Sequence, residues 1–308
     1  MTYTGNSSYC YTNSLHMCLH HAGMVELPDV SFIECLTGMP FGTCFLNFDM
    51  PMFFPSPAIM DPHEGLSQAL ETLGWTCELW QGEKEDDART ALESALRDGP
   101  VLLGPLDMSF LSYDPNHKSK AGGDHFLVVL NITNDIVELH DPQFYPYVVI
   151  PISEMMQAWN ASAIGYIDKT YTLRYGFQEQ KKVSREKLLR NALRVAQTLQ
   201  ADVREGPVAY TGAAAFKKAL KLIEPTPAPA FAGFLTHFAL PIGARRSHDA
   251  VRFMIEAGKG ELASLYEGKA KLFGSTQYHA ATQNWSTVSN NFRDLAELEE
   301  ELTEKIQT

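Results

Sequence analysis

Residues 122–142 read GGDHFLVVLNITNDIVELHDP and contain two runs of β-forming residues separated by a short polar segment. The first run begins at His125, directly after the glycines and Asp124, and the second ends at Asp141. Apolar runs joined by such a turn predict an antiparallel β-hairpin in a twisted sheet. If the turn centres on Asn134 and Asp135, then His125 and Asp141 fall at the same end of the hairpin and within reach of each other.

A third candidate site residue, Cys10, lies where a helix is predicted to begin. Residues 9–23 read YCYTNSLHMCLHHAG, place apolar residues at helical spacing and end in Gly23, which is typical of a helix C-terminus. The helix is therefore predicted to begin at or just after Cys10, where free N–H groups and the helix dipole stabilise a thiolate. We predict a catalytic triad in which Cys10 is the nucleophile, His125 the base and Asp141 the carboxylate that orients the base.

The patterns on either side of these motifs define the expected fold class. Residues 38–62 form an irregular apolar loop that could include an edge strand, and EPTPAPAFAG at 224–233 predicts a linker or an extended crossing. Strands are predicted at TCELW, PVLLGPL and YPYVVIP, and helices at 63–74, 85–98, 184–203, 211–224, 246–257 and 261–304, the last with a break near Gly274. We expect an α+β fold, with a catalytic domain of residues 1–175, in which the N-terminal helix packs on a twisted antiparallel sheet, and a mostly helical domain of residues 176–308.

Composition limits the classes of function. The 308 residues are 45% hydrophobic and 20% charged, as in a globular protein, and their formal net charge of −12 argues against nucleic-acid binding. The N-terminus lacks the features of a signal peptide, and no apolar stretch reaches the roughly 18 residues that a membrane span needs. The five cysteines fit reduced thiols better than a disulfide framework. We therefore expect a cytoplasmic protein with no nucleic-acid or membrane partner.

Taken together, the motifs resemble papain-like cysteine enzymes of the C39-like type, and within them the butirosin biosynthesis acyltransferase family. The resemblance rests on YCYTNSLHMCLHHAG, on ALETLGW and RDGPVLLG, on the His125 and Asp141-Pro142 strands, and more loosely on GARRSHDAVRFMIEAG and the helix around Trp285. It implies a papain-like fold and transfer of an acyl or aminoacyl group from the phosphopantetheine thioester of an acyl carrier protein to a small amine, in secondary metabolite biosynthesis. We further expect the helical domain to shape the acceptor site or to dock the carrier, and we expect no cofactor.

One departure from the papain-like pattern concerns the oxyanion hole. These enzymes usually place a Gln several residues before the nucleophile, and no Gln precedes Cys10 here. Asn6 or Thr4 could substitute, and we predict that Asn6 donates to the oxyanion together with the backbone N–H of Cys10. Such a donor contributes about 3 kcal/mol in enzymes from which it has been removed.

Candidate substrate contacts lie farther along the chain. Phe41 and Phe45 belong to an aromatic run that could wall an acyl pocket or could equally be ordinary core. Arg245 and Arg246 could grip a phosphate or carboxylate, or could simply begin a solvated helix.

Other interpretations of the same residues stay open. The triad could serve a peptidase or amide hydrolase with water as the acceptor, or the chain could be a non-catalytic binding or scaffold protein that keeps the fold. His16, Cys18, His20 and His21 are better explained as a polar helix face than as metal ligands, so we expect no metal. His140 and Asp124 adjoin the triad residues, but strand alternation turns them to the opposite face.

Overall fold

A computed structural model describes residues 1–6 and 8–307 of the chain. The helices are α1 (Cys10–His21), α2 (Val30–Thr37), α3 (Pro62–Leu73), α4 (Glu85–Ala95), α5 (Ile152–Trp159), α6 (Arg185–Gln200), α7 (Gly212–Ile223), α8 (Pro229–Phe234), α9 (Leu240–Glu256), α10 (Gly260–Ala281) and α11 (Trp285–Lys305). The strands are β1 (Cys44–Leu46), β2 (Met52–Phe54), β3 (Trp75–Gly82), β4 (Val101–Asp107), β5 (Asp124–Thr133), β6 (Ile136–Asp141), β7 (Tyr145–Pro151), β8 (Tyr171–Glu179) and β9 (Ala209–Thr211).

The chain forms two compact units, each made of two separate stretches of sequence. Unit one comprises Met1–Ile33 and Leu73–Lys182, and unit two comprises Glu34–Thr72 and the chain from Val183 onward. The predicted domain boundary at residue 175 stays a prediction. Residues 34–72 form one compact unit with the C-terminal part of the chain.

Unit one is built on an antiparallel sheet that, over the described residues, has six strands in the order β3-β8-β4-β5-β6-β7. Its core packs Leu92 of α4 and Met155 of α5 with Val129 and Leu139 of the sheet, all fully buried. Burying apolar side chains of this size typically stabilises a fold by about 1.5–3 kcal/mol each, so this layer holds β5 and β6 firmly in place.

The β5–β6 hairpin forms as the sequence predicts. Thr133 pairs with Ile136, and the two residues between them, Asn134 and Asp135, adopt left-handed φ angles of 52° and 59°. Asn and Asp tolerate this conformation, which a tight hairpin turn requires. The helix α1 packs on β5 and β4. The expected α+β class, with an N-terminal helix on an antiparallel sheet and a mostly helical second half, is confirmed.

Three elements of the chain escaped the sequence patterns. The helices α2 and α5 span eight residues each, which is too short for a helical period to stand out. The strand β8 lies between β3 and β4 in the sheet, but its buried Arg174 interrupts the apolar run expected of an interior strand.

Unit two combines α6–α11 with a small sheet of order β2-β1-β9. Phe53 of β2 packs against Phe216 of α7 and Phe292 of α11, with ring centroids 5.1 and 5.3 Å away. The segment 38–62, expected to be irregular, thus contributes two short strands. Their pairing with β9 is a long-range contact that local patterns do not reveal.

Two expectations for unit two are wrong. The break predicted near Gly274 is absent, because α10 continues through Gly274 and the chain turns at Thr282–Asn284, where Asn284 caps α11 by accepting from the Thr287 N–H. The segment 224–233 is extended only in part, since α8 begins at Pro229, a favourable first residue for a helix.

A buried ion pair fixes the helices of unit two. Lys269 Nζ lies 2.6 Å from Glu299 Oε2, and both side chains are almost wholly excluded from solvent. Glu299 Oε1 also accepts from Gln200 Nε2 at 2.9 Å, which ties α6 to α11. Because an unpaired charge is costly in such a place, this pair favours one packing arrangement of these helices.

Within the described residues, none of the helices combines the length and the apolar character that crossing a bilayer would require.

Candidate active site

Cys10 occupies the first position of α1, as the sequence predicts. The residue before it, Tyr9, is buried and adopts a left-handed backbone with φ 57°, which sets the direction in which the chain enters the helix. Cys10 is partly exposed, whereas Cys18, Cys35 and Cys44 are buried. Burial raises the pKa of the Cys44 thiol to about 12 and that of Cys77 to about 11, so these two side chains stay protonated at neutral pH.

The structure brings Cys10, His125 and Asp141 together. His125 Nε2 lies 2.8 Å from Asp141 Oδ1, and the His125 ring is also hydrogen-bonded to Cys10. Because Nε2 faces Asp141, Nδ1 is the ring nitrogen left to face the thiol. The side chains of His125 and Asp141 are 1% and 3% exposed, so this interaction is shielded from solvent.

Charge governs the protonation of His125. Burial lowers the pKa of His125, but the Asp141 carboxylate, the Cys10 sulfur and the hydrogen bonds to both outweigh burial and raise the pKa to about 10. The imidazole therefore carries a proton at neutral pH, and an imidazolium beside a thiol favours the thiolate.

Asp141 is held by donors beyond His125. Its Oδ1 also accepts from the Gln143 N–H at 2.7 Å, its Oδ2 accepts from the Tyr113 hydroxyl at 2.8 Å, and its backbone carbonyl accepts from Tyr3 at 2.9 Å. Burial raises the pKa of Asp141, but the charge and hydrogen bond of His125, the Gln143 N–H and the Tyr113 hydroxyl lower it below its ordinary range. No sequence pattern pointed to Tyr113 or Tyr3, since neither shares a strand or a helical period with the triad.

The neighbours of the triad residues lie elsewhere, as alternation predicts. His140 packs its ring against Tyr147 at 4.4 Å and Tyr3 at 5.3 Å, and its Nδ1 accepts from the Tyr147 N–H. Asp124 Oδ2 accepts from the Tyr166 hydroxyl at 2.7 Å.

The segment before α1 contains the predicted oxyanion donor. Asn6 Oδ1 accepts from Asn13 Nδ2 at 2.9 Å and from the Ser8 N–H at 3.2 Å, which leaves the amide nitrogen of Asn6 as the group able to donate. Asn13, which the sequence patterns did not single out, also donates to the carbonyls of Ser8 and Tyr9. Thr4, the alternative, pairs with His16 Nδ1. The role of Asn6 stays a prediction.

The predicted substrate contacts all lie in unit two. Phe41 is fully buried against Phe253 and Tyr266, and Phe45 is fully buried in the aromatic core. Arg246 is buried and donates to Glu34 Oε1 at 3.0 Å and the Pro55 carbonyl at 3.1 Å, and Arg245 pairs with Asp249. These contacts give each side chain a structural role, and substrate binding by them stays a prediction.

In the part of the chain that the structure describes, no cluster of three or more His, Cys, Asp and Glu side chains is arranged to hold a metal ion.

Gly104 in β4 leaves room for the backbone of His125 on the neighbouring strand β5. Gly104 has φ 148° and sits where the β4–β5 register shifts, and a Cβ there would lie 2.8 Å from the His125 carbonyl oxygen and 2.5 Å from Phe126 Cδ1. We expect Gly104→Ala to destabilise the protein by about 2 kcal/mol or more in urea unfolding, through backbone strain plus displacement of the His125 backbone.

Gly122→Ala is the matched control, because Gly122 also has a positive φ of 74° but has open space around it. Backbone strain alone then predicts a loss of about 1 kcal/mol for Gly122→Ala. Equal losses for the two variants would contradict the steric explanation.

Comparisons with known proteins give limited similarity. Residues 206–307 match the family described as the YobF C-terminal domain. The chain is 28% identical over 307 residues to uncharacterized protein YobF of Bacillus subtilis strain 168, covering 97% of this chain and 96% of that protein. A Bacillus anthracis crystal structure with the provisional description of a C39-like peptidase superposes with a TM-score of 0.39 at 15% identity, covering 58% of this chain and 95% of that one. The chain is thus similar along nearly its whole length to a protein whose name records no activity.

Proposed function

We propose that the protein is a cysteine-dependent acyltransferase, in which Cys10 carries the acyl group as a thioester. The observation that supports this proposal best is the hydrogen-bonded series Cys10–His125–Asp141 at the start of α1. A partly exposed thiol beside a buried, protonated imidazole is the arrangement that nucleophilic cysteine catalysis requires.

In the first half of the reaction, the Cys10 thiolate attacks the carbonyl carbon of a thioester donor. The bond from that carbon to the donor sulfur breaks, and the departing thiolate takes the proton from His125 Nδ1. The tetrahedral oxyanion is stabilised by the Cys10 backbone N–H and the Asn6 amide, a contribution of about 3 kcal/mol for one such donor.

In the second half, a neutral amine attacks the carbonyl carbon of the acyl-cysteine. Neutral His125 accepts the proton of the amine nitrogen, the bond from carbon to Sγ breaks, and the thiolate–imidazolium pair is restored. The sum of both halves converts a thioester and an amine into an amide and a free thiol, with Asp141 holding the imidazole ring throughout.

The proposed donor is a phosphopantetheine thioester on an acyl carrier protein and the proposed acceptor a small amine, as the motif resemblance implies. Hydrolysis would use the same acyl-enzyme with water as the acceptor, so the acceptor decides between the two classes of enzyme.

The test uses S-acetyl-pantetheine and S-glycyl-pantetheine as donors and methylamine as acceptor. We expect intact-protein and peptide mass spectrometry to find one acyl group on Cys10, and the acyl-methylamide to increase with methylamine concentration. Release of free acid that is insensitive to methylamine would replace the transferase with a hydrolase. The absence of any acyl group on Cys10 with both donors would contradict acyl-enzyme chemistry altogether.

A further inference from the structure

The carboxylate of Asp141 has two oxygens, and each is held separately. Oδ1 accepts from His125 Nε2 and from the Gln143 N–H, whereas Oδ2 accepts from the Tyr113 hydroxyl at 2.8 Å. A carboxylate whose side chain is only 3% exposed needs donors on both oxygens, because an unsatisfied buried acceptor is costly. Tyr113 is therefore the donor that completes the environment of the second oxygen.

Tyr113 comes from the segment between β4 and β5, residues 108–123, rather than from the hairpin itself. Polar contacts hold this segment. Asp107 Oδ1 accepts from the Ser109 N–H at 2.9 Å, and Lys120 Nζ lies 2.5 Å from Asp114 Oδ2 and 3.1 Å from Gln143 Oε1. Lys120 thus links Asp114, the residue next to Tyr113, to Gln143, whose N–H donates to Asp141 Oδ1. The donors to both carboxylate oxygens therefore belong to one network.

We infer that Tyr113 is a fourth member of the series Cys10–His125–Asp141, a positioning residue that orients Asp141 and shares its negative charge. The inference deepens the proposed function and rests on the triad assignment made there. By donating to Oδ2, the Tyr113 hydroxyl withdraws charge from the oxygen that faces His125 Nε2 and limits how strongly Asp141 stabilises the imidazolium. The imidazolium can then release its Nδ1 proton to a leaving group.

Electrostatics agree with this role. Burial first, and then the charge and hydrogen bond of Asp141, raise the pKa of Tyr113 well above its ordinary value, so the hydroxyl keeps its proton and remains a donor. Among the described residues, further groups with contacts or charges at this site are Cys10 from α1, Tyr3 from the N-terminal segment, Asp114 and Lys120 from the β4–β5 segment, and Tyr145 from β7.

The test measures the rate at which iodoacetamide alkylates Cys10, resolved from the other thiols by peptide mass spectrometry, as a function of pH. In the unaltered protein, the alkaline transition of this profile reports loss of the His125 proton, near the pKa of about 10. We expect Tyr113→Phe to move the transition upward by about half to one pH unit, because Asp141 then holds the imidazolium more strongly. The same shift lowers the neutral fraction of His125 about three- to tenfold at lower pH.

Tyr145→Phe is the matched control. Its ring lies 5.3 Å from that of Tyr113, but its hydroxyl is bonded to Asp114 rather than to Asp141, so the transition should move much less than in Tyr113→Phe. Replacement of Tyr113 by 3-fluorotyrosine, a stronger donor that keeps the packing, should move it downward, and this variant covers the case in which Tyr113→Phe does not fold.

The inference would be overturned if folded Tyr113→Phe left the transition unmoved or slowed alkylation equally at every pH. A loss of packing alone changes the rate of alkylation without changing the pH at which His125 titrates. The inference also fails if Tyr145→Phe moves the transition as far as Tyr113→Phe does. Since alkylation needs no acyl donor, failure of this test is distinct from failure of the proposed acyl transfer, which is judged by acyl mass on Cys10.

Discussion

Changing Cys10 to serine is expected to lower the rate of acyl transfer by about 10⁴- to 10⁶-fold while leaving the fold intact. Serine has nearly the shape of cysteine, so α1 keeps its packing. Its hydroxyl, however, is a much weaker acid than a thiol, and an already protonated His125 cannot remove its proton. The measurement is the steady-state rate of amide formation from S-acetyl-pantetheine and methylamine, together with a urea unfolding curve for each protein.

Cys77→Ser is the control for this substitution. Cys77 lies on β3, is partly exposed and carries a thiol whose pKa is raised by burial, so it should retain the full rate. A Cys10→Ser protein that still forms the amide at a comparable rate, or that accumulates acyl groups on another side chain, would remove Cys10 from the chemistry.

Changing Asp141 to asparagine is expected to lower the rate about 10⁴-fold. The amide keeps the size of the carboxylate but not its charge, so the imidazolium loses its largest stabilising contact. The pKa of His125 should then fall toward its ordinary value of about 6.5, and the alkaline limb of Cys10 alkylation should move down with it.

The same change has a consequence for stability. A histidine whose pKa is raised in the folded state contributes stability that is fully present below about pH 6.5 and is lost as pH rises through about 10. Urea unfolding of the unaltered protein should therefore show decreasing stability across that window, and Asp141→Asn should flatten the decrease. Asp124→Asn, which removes the neighbouring carboxylate bonded to Tyr166, serves as the control and should leave both profiles unchanged. If Asp141→Asn left the alkaline limb of Cys10 alkylation unmoved, Asp141 would not be the group that stabilises the protonated form of His125.

Local sequence patterns predicted the parts of the site that local structure determines. The turn residues Asn134 and Asp135 set the register next to the turn. The register then shifts between Val129 and Asn131, and this irregularity, which no sequence pattern predicted, lies between the turn and the end of the hairpin that holds His125 and Asp141. The start of α1 at Cys10 followed from helical spacing and a C-terminal glycine. The structure brings these residues together, and their catalytic roles remain the proposal stated above.

Other parts could not be predicted because they depend on contacts between residues far apart in the chain. Tyr113 reaches Asp141 from a segment with no helical or strand period, and the need for Gly104 is set by the carbonyl of His125 on the neighbouring strand. Likewise, Arg246 suggested a ligand contact from its type alone, but its partners Glu34 and Pro55 are about 200 residues away in sequence.

The membership of residues 34–72 in unit two also determines when that unit can form during synthesis. The ribosome releases β1 and β2 early, yet the strand that pairs with β1 is β9, and the helices that bury Phe53 are α7 and α11. The nascent chain must therefore carry an apolar segment with an unpaired strand edge until its C-terminal half emerges. Unit two is completed only after translation of α11, and a truncated product ending before α6 would expose Phe45 and Phe53, which makes it a target for chaperones and proteases.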